Sequence, residues 1–175
     1  MKSPYKELAE KFLPNRIRYL LIGESPPYTP PNEELKYFYN YRNSKNGQIL
    51  LSSISYSFLG QKFFVGKDNK EEFLNGLVKE GIFLLDATYE PINHIKDKKL
   101  RRSKIKDSYP LLKKNLSNLP LKHNARILLI HGNVIKAIGG TIREDFKSYR
   151  FYDIGFPSYY NDENFKLKIR KAIRD

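Results

Sequence analysis

The sequence predicts an α/β protein in which helices cover both faces of a four-stranded, mainly parallel sheet, a three-layer α/β/α sandwich. Three runs, 17–22, 82–86 and 126–131, are apolar along most of their length, which is typical of strands buried on both faces. A fourth strand is predicted over 149–154. Segments of helical character separate these runs, and that alternation indicates parallel β-α-β units.

Periodicity and capping residues place the remaining elements. Ser3 is expected to cap the first helix, with Pro4 at its first helical position. Asp68 and Glu71 resemble a capping box, and Gly81 is a plausible end for the helix that follows. Residues 32–40 are expected to be helical or turn-like. The predicted helices lie at 3–12, 48–58, 68–81, 104–118, 133–138 and 162–173.

Length and composition restrict the class of protein. A chain of 175 residues with 40% hydrophobic residues suits one domain, 1–175, with one core. The absence of cysteine excludes disulfides, thiolate catalysis, zinc–sulfur sites and cysteine-bound iron–sulfur clusters. No apolar run approaches the roughly 20 residues that span a bilayer, and the N-terminal residues lack the apolar segment of a signal peptide. A cytoplasmic, intracellular protein without a cofactor, and outside the membrane, is expected; its oligomeric state stays open.

The charge favours a polyanionic partner. Lys and Arg number 32 against 19 Asp and Glu, for a net charge of +13, and 13 Tyr and 11 Phe supply rings for base stacking. DNA is the expected partner, and a merely solvated basic surface is the alternative. A basic run between 96 and 106 is suited to phosphate contacts, although it also fits a solvated helix face. The candidate DNA-binding residues are Lys98, Lys99, Arg101, Arg102, Lys104, Tyr159 and Tyr160.

Polar clusters follow the four predicted strands. Because parallel strands place their carboxyl ends on one edge, where ligands of open α/β sheets bind, these clusters should converge. They are Gly23 to Tyr28, Asp86 to Asn93, His131 to Asn133 and Gly155 to Asn161. The three histidines are too scattered for a metal site, so no metal is expected.

Individual residues of these clusters suggest chemistry. Glu24 is suited to orienting a water or stabilising a cation, although capping a helix or pairing with a lysine would also explain it. Gly23 allows close approach of a ligand or makes a plain turn. Asp86 is suited to accepting hydrogen bonds from a base or sugar, or to capping a helix. His131 lies on the same edge, and a structural role explains it equally.

The ordered motifs resemble the uracil-DNA glycosylase superfamily, in particular a branch of small proteins with a Gly-Glu-Ser-Pro-Pro sequence. That sequence is 23–27 here, and the resemblance continues through Phe38-Tyr39, Leu85-Asp86 with 90–93, and Phe156-Pro157. It spans most of the chain. The superfamily implies a four-stranded α/β/α fold and a flipped base held at the strand ends, where water cleaves it from its sugar.

The resemblance also implies roles for single residues. Glu24 corresponds to the acid in a Gly-Glu-Ala-Pro motif of related branches, and the acid of another branch falls on Ser25. Phe38 corresponds to the aromatic that stacks on the base. Asp86 replaces the asparagine that usually reads the base, and Phe156 replaces a histidine. The other substrate-binding candidates on these motifs are Gly23, Pro26, Tyr28, His131 and Ser158.

The sequence therefore favours a monofunctional DNA glycosylase acting on a damaged or deaminated base. A carboxylate at Asp86 suits a base with an exocyclic amine better than uracil, because an ionised carboxylate only accepts hydrogen bonds. Phe156 in place of histidine favours the alternative, a non-catalytic relative that binds nucleic acid or a nucleotide. An enzyme acting on free nucleosides or nucleotides is the third hypothesis.

Overall fold

A four-stranded parallel sheet forms the centre of the protein. The computed structural model describes residues 3–43, 48–158 and 162–175. The strands are β1 (Ile17–Gly23), β2 (Ile82–Asp86), β3 (Leu121–Leu129) and β4 (Arg150–Asp153). Their order in the sheet is β2-β1-β3-β4, with every neighbouring pair parallel. All four strands therefore end on the same edge of the sheet, called the carboxyl edge below.

Helices cover the sheet on both faces. Helices α4 and α5 pack against each other, and α2 packs against α3 and α6. This arrangement confirms the predicted α/β/α sandwich. The helices are α1 (Pro4–Glu10), α2 (Gln48–Leu59), α3 (Lys70–Lys79), α4 (Lys98–Ser117), α5 (Gly132–Asp145) and α6 (Asp162–Arg174).

The two central strands form the core. Leu20, Leu21 and Ile22 of β1 are completely buried, and so are residues 127–129 of β3. Each such side chain contributes about 1.5–3 kcal/mol when it is buried. This explains why unbroken apolar runs predicted both strands. The outer strand β4 is partly exposed throughout and is correspondingly shorter.

Tyr39 fixes the loop between β1 and α2 to the outer strand β2. Its hydroxyl accepts the N–H of Leu84 at 2.7 Å and lies 3.1 Å from the carbonyl oxygen of the same residue, to which it donates. The Tyr39 ring stacks between Phe12 and Phe83, with centroid distances of 5.8 and 5.7 Å. The aromatic segment that follows β1 is thus held against the sheet.

The starts of α4 and α3 differ from the sequence expectations, whereas α1 begins as predicted but lacks the capping bond. Helix α4 begins at Lys98 rather than near 104, because the Asp97 side chain accepts the N–H of Lys99 at 2.7 Å and caps it. Asn69, not Asp68, caps α3 by accepting the N–H of Glu71. Ser3 occupies the N-cap position of α1 but makes no side-chain capping bond.

Other boundaries also differ. Helix α5 continues to Asp145 rather than 138, because Ile142 extends its buried face beyond Ile138. Residues 32–40 follow the turn-like alternative of the prediction, since they contain turns and no helix, and Asn32 has a positive φ of 70°. Strand β3 begins at Leu121, five residues before the predicted start at 126.

Gly81 joins α3 to β2 in a conformation that suits only glycine. Its φ is +70°, and an added Cβ would lie 2.7 Å from the carbonyl oxygen of Arg16. We expect Gly81→Ala to lower the free energy of unfolding by more than the about 1–2 kcal/mol that a left-handed conformation costs. Gly60→Ala is the matched control, since φ is +71° there and no described atom lies within 4 Å. Urea unfolding tests this, and equal losses for both variants would contradict it.

Candidate functional site

The loops after the strands meet at the carboxyl edge. The loop after β1 reaches the loop after β2, where the Ser25 hydroxyl accepts the N–H of Ile92 at 3.3 Å. It also reaches the β3–α5 junction, where Glu24 contacts Asn133. The loop after β4 closes the edge on the other side, with the Phe156 and His131 rings 5.6 Å apart. The described parts of the four sequence clusters therefore meet along this edge, called the rim below.

Glu24 lies at the centre of a buried polar cluster, the Glu24 cluster, which it forms with Arg101, His131 and Asn133. The carboxylate is only 6% exposed. Arg101 binds both of its oxygens, Nε donating to Oε1 at 3.1 Å and Nη2 donating to Oε2. The Asn133 amide donates a further hydrogen bond to Oε1 at 2.7 Å. Three donors thus fix the plane of a carboxylate that is withdrawn from solvent.

His131 presents a neutral N–H to Glu24. Its Nδ1 accepts the main-chain N–H of Asn133 at 3.2 Å and so caps α5. Burial, and secondly the cation of Arg101, lower the pKa of His131 to about 4. A neutral imidazole whose Nδ1 accepts carries its proton on Nε2. That nitrogen lies 3.6 Å from Oε2 of Glu24, so its N–H lies beside the carboxylate.

The predicted DNA-binding residues of α4 differ in their exposure and in their ion pairs. Arg101 turns inward to Glu24, one helical turn before the buried Ile105, and its side chain is only 16% exposed. Lys104 pairs with Glu90 at 2.7 Å. The other three remain at least partly open to solvent: Lys98, Lys99 and Arg102. Tyr159 and Tyr160 lie outside the described residues.

Asp86 ends β2 as a second buried carboxylate. Its Oδ1 lies 3.0 Å from where a Cβ on Gly23 would stand, so glycine there makes room for it. Among the described residues, no hydrogen bond of normal geometry reaches its Oδ2 or the hydroxyl of Tyr37, although the two groups are close enough to interact. Burial raises the pKa of Asp86 to about 7, and the Tyr37 hydroxyl partly offsets that rise. Burial therefore favours the protonated, neutral form of Asp86.

The surroundings of Asp86 are aromatic and rigidly held. Burial, followed by the charge of Asp86, raises the pKa values of Tyr37 and Tyr89. Lys70, buried at the start of α3, donates to the carbonyl of Tyr37 at 3.0 Å and to that of Asn43 at 3.2 Å. Burial lowers the pKa of Lys70 to about 8. The amine thus holds the segment that places Tyr37 beside Asp86.

The rim carries two exposed rings, Tyr28 and Phe156. Tyr28 is 45% exposed and lies beside His94 at a centroid distance of 4.7 Å. Its main-chain N–H donates to Asn93 at 2.7 Å, which fixes the loop. Phe156 is 43% exposed. Each of these two aromatic side chains is thus partly exposed to solvent, Tyr28 beside His94 and Phe156 beside His131 of the Glu24 cluster.

Other predicted site residues have structural surroundings. Phe38 is 6% exposed and packs edge-on against Tyr39 at 4.9 Å, within the core rather than on the rim. Pro26 is buried, and the Ser25 hydroxyl holds the main chain of the next loop. Ser158 lines a separate groove of about 300 Å³ beside the start of α6.

Sequence reasoning did not assign Arg101, Asn133 or Tyr37 to these two carboxylates. Asn133 follows His131 at a strand end, and that position was its only signal. Tyr37 adjoins Phe38, and strand-like alternation would have suggested that only one of the two faces the edge. Arg101 stands in a basic run whose members look alike in sequence, so nothing local distinguished it.

Two further findings concern metals and membranes. Within 3–43, 48–158 and 162–175, no three His, Asp or Glu side chains are grouped closely enough to hold a metal ion. In the same ranges, no helix has the length and apolar character required to cross a membrane.

No protein-family model, curated protein or solved structure matches this chain.

Proposed function

We propose that the protein binds DNA at the carboxyl edge and hydrolyses the N-glycosidic bond of a damaged or deaminated base. The observation that carries this proposal is the Glu24 cluster, a buried carboxylate on a strand-end loop with a neutral imidazole and an amide beside it. Such a group orients water and stabilises positive charge on a sugar. The net charge of +13 supports a polyanionic substrate.

The proposed reaction replaces one bond to the sugar by another. A water oxygen bonds to the anomeric carbon while the bond from that carbon to the base nitrogen breaks. The base leaves with the electron pair, and Glu24 takes the proton of the water. Because Arg101 binds both oxygens of Glu24, one of these hydrogen bonds must open for Glu24 to accept that proton.

Asp86 and the two exposed rings supply the recognition. Asp86 is as buried as Phe38, so the rim must open before a base reaches it; its Oδ2 then accepts an N–H from a base edge when ionised, and a protonated Asp86 donates to a carbonyl. Tyr28 and Phe156 offer faces for stacking, which contributes about 1–3 kcal/mol per base. This transfers the stacking role from the buried Phe38 to rings on the rim.

A non-catalytic nucleic-acid-binding protein is the second candidate. The same Arg101–Glu24 pair favours it, because a carboxylate whose charge is neutralised on both oxygens is a poor general base. In this alternative the Glu24 cluster only holds three elements together.

The test is cleavage of oligonucleotides containing uracil, hypoxanthine or xanthine, scored as abasic sites. We expect Glu24→Gln to reduce cleavage of the preferred substrate by at least about 100-fold, the usual range for a general base. Glu90→Gln is the matched control, because Glu90 also pairs with a cation of α4 but is exposed. Cleavage that survives Glu24→Gln removes Glu24 from the mechanism. Tight DNA binding by the wild type without cleavage of any base supports the second candidate instead.

A further inference from the structure

The opposite edge of the sheet, the amino edge, carries an irregularity in β3. Leu121 pairs with Ile17, whereas Arg126 pairs with Tyr19, so five steps along β3 face two along β1. The extra residues leave the ladder and form a bulge over 122–125. Bulges of this kind redirect side chains and often lie beside functional sites. Here the bulge carries the sequence Lys-His-Asn-Ala, and His123 and Asn124 are exposed.

Two open grooves flank this bulge and share His123 and Asn124 as lining residues. One has a volume of about 580 Å³ and is also lined by Arg16 and Lys122. The other has a volume of about 370 Å³ and is also lined by Arg126, Ser148 and Arg150. Together they form a continuous concave surface, the amino-edge grooves, remote from the Glu24 cluster.

The charge of the amino-edge grooves is strongly positive. Their four permanent cations are Arg16, Lys122, Arg126 and Arg150, and the one acid among the described lining residues is Asp175. Arg150 donates to the main-chain oxygen of Asp175 at 2.8 Å, which partly satisfies that cation. Arg126 donates to the Tyr19 hydroxyl at 3.2 Å and is thereby held in place. A concave surface lined mostly by one sign of charge concentrates its field on an incoming anion.

We propose that the amino-edge grooves bind the phosphate backbone of nucleic acid, as a second surface independent of the carboxyl edge. The described lining residues supply four cations and side-chain amides, and the one aromatic ring among them is the imidazole of His123, a balance that suits phosphates more than bases. One molecule then holds nucleic acid at two opposite edges, whether or not it cleaves a base.

The first test maps the surface by NMR, following main-chain amides during titration with a duplex DNA that contains no damaged base. We expect the amides of 122–124 to shift in a saturable manner, and inorganic tripolyphosphate to shift them at higher concentration. Absence of any shift with the duplex overturns the proposal. A shift with tripolyphosphate alone identifies a small-anion site and also overturns it.

The second test measures how duplex affinity depends on salt. Arg16→Gln/Lys122→Gln should lower the slope of log affinity against log salt by about 0.9 for each phosphate that the variant no longer neutralises. Lys62→Gln/Lys67→Gln is the control, because it removes two exposed lysines that neither line the grooves nor belong to the basic run between 96 and 106. Equal slopes for the two double variants overturn the proposal. Because this test measures binding of an undamaged duplex, it does not depend on base cleavage, and its failure is distinguishable from failure of the proposed reaction.

Discussion

Replacement of Arg101 by methionine is expected to lower the free energy of unfolding by about 3–5 kcal/mol, the usual cost of removing one partner from a buried ion pair. Methionine keeps most of the apolar volume but leaves the carboxylate of Glu24 without its cation. Asn133 alone then donates to a group that is 6% exposed. Urea unfolding at pH 7 measures the loss.

Two further variants decide whether charge causes that loss. Arg101→Met/Glu24→Gln should recover most of the stability, because a neutral amide is far cheaper to bury than an unpaired carboxylate. Lys104→Met is the matched control on the same helix, since it breaks the more exposed pair with Glu90, which is worth about 0–1 kcal/mol. A loss for Arg101→Met no larger than that for Lys104→Met would show that the pair contributes little.

The second large effect is expected from Asp86→Asn, which should stabilise the protein at pH 8 but not at pH 4. Burial raises the pKa of Asp86 from 3.8 to about 7. Between these values the folded state keeps a proton that the unfolded state has released, so stability falls as the pH rises. Below pH 4 Asp86 is protonated in both states and does not lower the free energy of unfolding. Above pH 7 the free energy of unfolding is lowered by the full cost of burying the charged carboxylate.

Asparagine removes this titration. Since a tenfold change in proton affinity is worth about 1.4 kcal/mol, the gain at pH 8 is at most about 4 kcal/mol. Urea unfolding of wild type and variant across pH 4–8 gives the difference curve, which should rise with pH. A flat difference curve would contradict a raised pKa.

The wild type and Asp86→Asn must be compared at each pH, because His131 changes the pH dependence of stability in the opposite direction. Burial lowers the pKa of His131 from 6.5 to about 4, so the unfolded state binds the extra proton in this range, and stability rises with pH. The two residues therefore partly cancel in the wild type. Asp153→Asn is a suitable control, because Asp153 also ends a strand but is exposed and paired with Arg143. That variant should change stability by less than about 1 kcal/mol.

The strands of the sheet were predictable because burial on both faces requires an apolar run that is visible in the local sequence. Residues 82–86 are apolar until the final aspartate, and the strand occupies those positions. The start of α4 has no such signal in the sequence, because apolar residues do not recur at helical spacing around Lys98 and its basic neighbours. Only the cap at Asp97 indicated it.

The candidate site was predictable in outline and not in its contacts. Parallel strands oblige Glu24 and His131 to share an edge, so their proximity followed from the fold class. The partnership of Glu24 with Arg101 joins residues 77 positions apart and depends on how α4 packs. Phe38 and Tyr37 were equally aromatic in the sequence, and only packing determined which of them faces Asp86.

The hydroxyl of Tyr39 has a consequence for association between molecules. Strand β2 is an outer strand, and such strands invite addition of an extended peptide through their free main-chain groups. Tyr39 already satisfies both the N–H and the carbonyl of Leu84, at the centre of β2. A foreign strand would have to displace a phenol packed between two aromatic rings before it could pair there. One side chain of the loop after β1 therefore opposes the addition of a further strand at the β2 edge of the sheet.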